Sequence, residues 1–191
     1  FINEDHVRQK SFAILGEVYI DLSEDTMATV GIRYNDDTVK DSVASCLTFF
    51  SCPRYPLSQK QSGEYGFHPT QVVETDDAIG YKLAIQHNLA DNQMVYASYT
   101  TATKAGGNNP NSTGTPDPYD QEETAVFEIG TKSILLDGAM LFNAAYFQNT
   151  TDGMLISSIV NAGSRNVNTD AEINGFEGNL LFFLNETTSI D

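Results

Sequence analysis

From Ser11 to Leu22 and from Met27 to Val43, apolar and polar residues alternate with period two, and only Ser23-Glu24-Asp25-Thr26 separates the two runs. That spacing predicts two strands joined as a hairpin. The segment Ala44 to Asp76 follows, with Cys46, Cys52, Pro53, Pro56, Gly63, Gly66 and Pro69, and reads as a long loop. The pattern then repeats. Asp77 to Leu89 and Gln93 to Ala105 flank the short turn Ala90-Asp91-Asn92, and Gly106 to Glu122 supplies a second loop rich in Gly, Asn and Pro. Thr124 to Leu135 and Ala139 to Thr151 meet at Leu136-Asp137-Gly138, an αL-permissive turn through its Asp-Gly pair. Asp152 to Asp170 is expected to be a third polar loop, and Ala171 to Leu184 opens a fourth hairpin turning at Asn185-Glu186-Thr187.

Tight turns at one end and long loops at the other predict an up-and-down meander, because Greek-key sandwiches mix short and long links at both ends. The faces point the same way. In Asp77 to Leu89 one parity carries Ile79, Tyr81, Leu83, Ile85 and Leu89, and the other Ala78, Gly80, Lys82, Ala84, Gln86 and Asn88. A greasy face opposite a small, polar one suits a strand with lipid on one side and water on the other better than one of two packed sheets. The charges Glu17, Arg33, Glu128, Lys132 and Glu177 all avoid the apolar parity of their strands, where a Lys or Arg at the bilayer midplane costs about 2–4 kcal/mol. A three-residue turn at Glu24 to Thr26 would place Glu17 directly across from Arg33. Gly16, Gly31, Gly80, Gly130 and Gly175 interrupt strands and mark either bulges and bends or places where the interior of a barrel needs room. The expected fold class is therefore all-β: an antiparallel up-and-down meander contributing about eight strands of a larger transmembrane barrel. His87, on the greasy face near a short turn, suits a membrane-interface position.

Composition narrows the function classes. Ten Lys and Arg against 26 Asp and Glu leave a net charge of −16, which excludes nucleic acid as a partner. No segment reaches the roughly 18 apolar residues of a membrane-spanning helix, a fact that says nothing against a barrel of alternating strands. Cys46 and Cys52 have neither zinc-site nor redox-motif spacing, and a local disulfide in an oxidising compartment is the expectation, with two free thiols as the alternative. Closing so short a ring would contribute roughly 2 kcal/mol. The histidines, His6, His68 and His87, lie in unrelated contexts without a nucleophile-elbow or phosphate-binding motif, so neither catalysis nor a cofactor is expected.

Four strings resemble the barrel repeats of TonB-dependent receptors. These are FAILGEVYIDLSEDTMATVGIRYND from Phe12 to Asp36, YASYTTATKAGG from Tyr96 to Gly107, EIGTK from Glu128 to Lys132 followed by LFNAAYF from Leu141 to Phe147, and NGFEGN from Asn174 to Asn179. Each is short; their order along the chain carries the resemblance. It implies residence in the bacterial outer membrane, contact with its lipid and lipopolysaccharide, and import of a scarce small solute such as siderophore-iron or cobalamin. It further implies that TonB acts through a plug domain. No plug, TonB box or aromatic-terminated last strand is evident, so residues 1–191 are expected to be part of a barrel of about 22 strands.

Loop aromatic and basic residues are the candidates for gripping an anionic chelate: Arg54, Tyr55, Tyr65, Phe67 and His68 in the first loop, Tyr119 in the second and Arg165 in the third. The Asx clusters Asn35-Asp36-Asp37 and Asp76-Asp77 are expected to be solvated loop rims or sites for divalent ions that bridge lipopolysaccharide. The rival readings are a soluble secreted β-sandwich that binds or adheres, and another barrel class such as a porin or autotransporter. The first predicts that Ile79, Tyr81, Leu83 and Ile85 meet protein.

Overall fold

A computed structural model describes residues 2–46, 70–109, 117–160, 163–185 and 187–190. Eight strands form one antiparallel sheet in the order β1 (Ile2–Asp21), β2 (Thr26–Cys46), β3 (Thr70–Ala90), β4 (Gln93–Lys104), β7 (Glu122–Leu135), β8 (Met140–Val160), β9 (Gly163–Asn185) and β10 (Thr188–Ile190). The β4–β7 connection carries a separate two-stranded ribbon, β5 (Gly107–Asn108) with β6 (Pro118–Tyr119). Every strand of the large sheet pairs with the next one along it, the meander that the turn spacing predicts.

The short turns are built locally. Leu22 and Ser23 both donate their amides to the Thr26 carbonyl, at 2.9 and 3.2 Å. Leu136, Asp137 and Gly138 take φ values of 54°, 52° and 92°, so the turn between β7 and β8 is left-handed where Asp137-Gly138 predicts it, and Leu136 joins it in a conformation that leucine rarely adopts. Because four residues separate Asp21 from Thr26, Glu17 lies opposite Gly31, and Arg33 lies opposite Leu15, two residues away from the Glu17–Arg33 pairing that a three-residue turn would give. The faces are unchanged by that shift, since it is even.

The longer departure is in strand length. Asp152 to Asp170 is not a loop: β8 and β9 stay paired from Met154↔Thr169 to Val160↔Gly163. Similarly, β2 runs to Cys46 and β3 starts at Thr70, inside the predicted first loop. At about 3.3 Å per residue, a 21-residue strand such as β3 extends roughly 70 Å, whereas 9–11 residues cross a bilayer. Beyond the bilayer both faces meet water, so polar residues occupy both parities and the alternation that reveals a strand disappears. Where β8 leaves the band, Asp152 and Gly153 oppose the single residue Asp170, a bulge that interrupts the ladder between Thr151 and Met154.

The apolar face has no protein cover among the described residues. Ile79, Tyr81, Leu83 and Ile85 are 49, 49, 51 and 45 % exposed, while the alternate residues Ala78, Lys82, Ala84 and Gln86 are half-buried. Among the described residues, the second packed sheet that the soluble β-sandwich reading requires over this face is not present. The outward side chains Ile20, Ala28, Ile85, Ala97, Ile129, Tyr146 and Phe176 form one register row across seven strands. Near the upper limit of the band each of those strands sets an aromatic ring outward: Phe12, Tyr34, Tyr81, Tyr99, Phe127, Tyr146 and Phe176. The band's upper edge slides down the register from Ile79 in β3 to Phe176 in β9, as tilted strands require if the band is to stay level.

The inner face is packed around its glycines. A Cβ on Gly130 would lie 2.7 Å from the Tyr96 ring and 2.8 Å from the Ala144 carbonyl oxygen, and one on Gly175 would lie 3.1 Å from the Phe147 ring. Gly31 sits between Glu17 and Lys82, and its missing side chain lets Lys82 Nζ donate to Glu17 Oε1 at 2.7 Å across the whole width of β2. The glycines of these inner rows therefore make room for neighbouring strands' side chains, and the ladder runs through them without a register shift.

Three outcomes follow for refolding into lipid vesicles, read from denaturant titration. Leu83→Arg should destabilise by about 2–4 kcal/mol, and Gln86→Arg on the inner face by less than about 1 kcal/mol. Gly130→Val should cost about 1–3 kcal/mol, because the Ala144 carbonyl cannot move aside without displacing β8.

Candidate functional site

The chemistry-bearing residues gather where the β4–β7 connection folds back over the polar face. β5 packs against β2 and β3, and β6 against β9, so the small ribbon reaches across the sheet. Its anchor on β3 is Asp76, of the same parity as Lys82, whose Oδ2 accepts the Gly106 amide at 2.9 Å. On β9 it is held by residues of both parities. Asn109, 2 % exposed, donates Nδ2 to the Asn166 carbonyl at 2.8 Å and accepts the Asn166 amide on Oδ1 at 2.6 Å, so its side chain completes the backbone of β9 as another strand would. Asn168 does the reverse, accepting the Asp120 amide on Oδ1 at 2.8 Å and donating Nδ2 to the Asp120 carbonyl at 3.0 Å. Within the ribbon, Asn108 Oδ1 accepts the Asp117 amide at 2.7 Å.

The third tie is charged. Arg165 donates Nε to Asp117 Oδ2 at 2.8 Å and Nη2 to Asp117 Oδ1 at 2.6 Å, the bidentate geometry that matches a planar guanidinium to a carboxylate. The Arg165 hydrogen bonds hold the Asp117 carboxyl below the usual carboxylate range, against a smaller upward pull from burial, and Asp117 in turn raises Arg165. Arg165 stays half exposed. Lys104 pairs with Glu122 at the root of the same connection.

Of the candidates from the sequence, Tyr119 and Arg165 both belong to this region: Arg165 holds Asp117, and Tyr119 lies two residues beyond Asp117 on the ribbon. The Tyr119 ring lies over Gly107, where a Cβ would meet it at 2.7 Å or closer. Arg165 stands on a strand and not in a loop, and a carboxylate already occupies its guanidinium. Arg54, Tyr55, Tyr65, Phe67 and His68 lie outside the described residues, and so does Cys52, the expected partner of Cys46 at the end of β2. Asn108, Asn109, Asp117, Asn166 and Asn168 were not singled out beforehand; the one signal was the density of Asn in both segments, which also suits plain turns. His87 is accounted for by the Thr26 hydroxyl, 2.8 Å from its Nδ1. Among the described residues no group of three or more His, Cys, Asp or Glu could hold a metal ion.

A band of lipid-facing side chains, a polar inner wall and a ribbon folded over that wall are features of a membrane barrel with an occupied mouth. The family model for the TonB dependent receptor-like beta-barrel matches residues 2–189. The chain belongs to the TonB-dependent receptor family. Solved receptors of that kind share its fold. It covers 96 % of this chain and 26 % of the ferric yersiniabactin uptake receptor FyuA of Yersinia pestis, at 16 % identity and a TM-score of 0.75. The ferric-catecholate import receptor Fiu of E. coli K12 gives 95 % and 26 %, at 18 % identity and a TM-score of 0.67. The siderophore receptor PiuA of Acinetobacter baumannii gives 96 % and 24 %, at 20 % identity and a TM-score of 0.63. This TonB-dependent receptor chain thus spans about a quarter of the length of the receptors it matches. No curated protein matches it by sequence.

The Asp117 link sets a pH dependence. A carboxyl whose folded-state pKa is depressed stabilises the docked ribbon above its unfolded value near 3.9, and that contribution is lost as pH falls through the lower folded value. Protection of the Asp117 and Asn166 amides in hydrogen exchange should be level from about pH 8 to 5 and should fall below about pH 4. Asp117→Asn should abolish the acid-side step while leaving the Asn109 contacts in place.

Proposed function

We propose that this chain is a stretch of the barrel wall of an outer-membrane importer, which takes up a scarce solute such as siderophore-iron or cobalamin with energy delivered by TonB. The plug domain and the remaining strands belong to the whole receptor and lie outside residues 1–191. The observation that carries the reading is the apolar row and aromatic band on one face of a sheet whose other face is polar and half-buried, in a chain of this family. No covalent chemistry is required: the receptor captures its solute at the outer mouth and releases it to the periplasm when TonB remodels the plug.

Within that reading the Asp117–Arg165 pair is the place for an anionic chelate. Arg165 is permanently charged and half exposed, and a carboxylate or catecholate oxygen pair on the solute presents the same fork that Asp117 does. Solute would replace Asp117 and loosen the ribbon's hold on β9. First-loop residues Arg54, Tyr55, Tyr65, Phe67 and His68 would contribute from the same outer end, with Tyr119 beside the link.

Uptake of radiolabelled ferric siderophore by cells whose only receptor is the full-length protein tests this. Uptake should vanish when TonB is deleted or the proton gradient is collapsed; uptake that persists without TonB would point to a passive porin. Arg165→Gln should weaken binding of an anionic chelate about tenfold, the worth of a charge-assisted hydrogen bond, and leave a neutral solute unaffected.

A further inference from the structure

Backbone groups along the edge of a strand need partners, and β9 has two edges. The Phe183 amide donates to the Ala139 carbonyl at 2.9 Å, so odd-numbered residues of β9 turn their N–H and C=O toward β8. Even-numbered residues turn theirs to the other edge, and the alternation holds past the bulge, since the extra residue lies in β8. At the bottom of that edge Ser189 pairs with Phe183 and Ile190 with Phe182, where β10 starts to run along β9. At the top, both backbone groups of Asn166 go to the Asn109 side chain, at 2.6 and 2.8 Å. One side-chain amide thus takes the two bonds that a neighbouring strand would make.

The ribbon is built to stay at this edge. Arg165 and Asn168 stand at positions of opposite parity, yet both hold it, through Asp117 and the Asp120 backbone, so it passes around the edge of β9 as well as over the polar face. Asn109 is 2 % exposed, and its own amide donates to the Asp117 carbonyl at 2.8 Å, which fixes it in place beside Asn166. The substitution is local. Asn109 serves the backbone of Asn166 alone, whereas a strand continuing β10 would serve Asp170, Asn168 and Asn166 in turn. The register leads there directly, because Asn166 lies sixteen residues up β9 from the Phe182–Ile190 pair. Ribbon and strand cannot both occupy Asn166.

We propose that the upper edge of β9, from Asp170 to Asn166, is a docking surface for the strand that continues β10 in the whole receptor, and that Asn109 keeps it closed while the ribbon is seated. The proposal rests on the barrel reading above and goes beyond it, because the ribbon then sets the height of the wall. With the ribbon in place, pairing stops below Asn166. With the ribbon lifted, the strand gains the last four residues of the edge, and the wall rises there by about 13 Å at roughly 3.3 Å per residue.

Hydrogen exchange of the full-length receptor in mild detergent, resolved to single amides, tests this in wild type, Asn109→Ala and Arg165→Gln. In wild type, alternate amides of the strand after β10 should be protected where the register sets them against Leu180 to Glu172. Those set against Asn168 and Asn166 should exchange about tenfold faster or more, the worth of an unmade hydrogen bond. In Asn109→Ala these upper amides should slow about tenfold while the Asn166 amide keeps its protection, its partner having changed from a side chain to a strand. Arg165→Gln leaves Asn109 in place and should move the same amides the same way by a smaller factor, which keeps the test open if the alanine variant does not fold. Upper amides that are already slow in wild type would overturn the proposal. So would an Asn166 amide that becomes fast in Asn109→Ala while the upper amides stay unchanged. Slow amides opposite Leu180 to Glu172 with no change above them remove the docking surface alone; fast amides there as well mean that no strand follows β10 along β9, and the barrel reading falls with it.

Discussion

A hydrocarbon phase offers no hydrogen bonds, so every backbone amide and carbonyl of a segment inside it must find its partner within the protein. In this chain that constraint precedes all others. It dictates that successive strands pair through their whole lipid-crossing length, and it leaves side chains of one parity with nothing to pack on but solvent hydrocarbon. The stabilising hydrophobic transfer therefore comes from an exposed face, and Ala145 is the only apolar side chain buried among the described residues. The conventional idea of a core does not apply; the ordered interior is a layer of polar side chains and rings threaded over glycines.

That inner layer explains the composition. Tyr96 over Gly130, Phe147 over Gly175 and Tyr119 over Gly107 repeat one device, in which a ring from one strand covers the bare backbone of the next. Lys82 and Glu17 use the same vacancy at Gly31 for an ion pair spanning three strands. Tyr96 also donates its hydroxyl to Glu128, linking β4 and β7 on this face. A glycine in a strand is weak locally, yet here it permits contacts that its neighbours could not otherwise make.

The lipid-crossing part of the fold was legible because lipid imposes period two on the residues that touch it. Asp77 to Leu89 could hardly be anything else, and Leu136-Asp137-Gly138 announces its turn by residue type. Legibility stopped where lipid did. Ser157, Asn166 and Asn168 are strand residues in stretches where neither parity is consistently apolar, and nothing in their identity separates them from a loop. The docked ribbon was hidden for another reason: the pairing of Asn109 with the backbone of Asn166 joins residues 57 apart in sequence, and no local pattern encodes it. Arg165 was found by its charge but assigned to a free loop, since only the register shows the carboxylate that it already holds.

The bulge in β8 changes the phase of that strand. Thr151 pairs with Ala171 and Met154 with Thr169, and β9 is regular between them, so odd-numbered residues of β8 face inward below Asp152 and even-numbered ones above it. Met154 and Ile156 consequently share the inner face with Val167, although an uninterrupted count from Tyr146 would have sent them outward. One inserted residue thus exchanges the two faces of an apolar stretch: Met154 and Ile156 turn inward, and Leu155 and Ile159 take the outward parity in their place. The inner wall gains Met154 and Ile156 beside the strand that carries the charged link, and a deletion that restored the count would exchange them for Leu155 and Ile159.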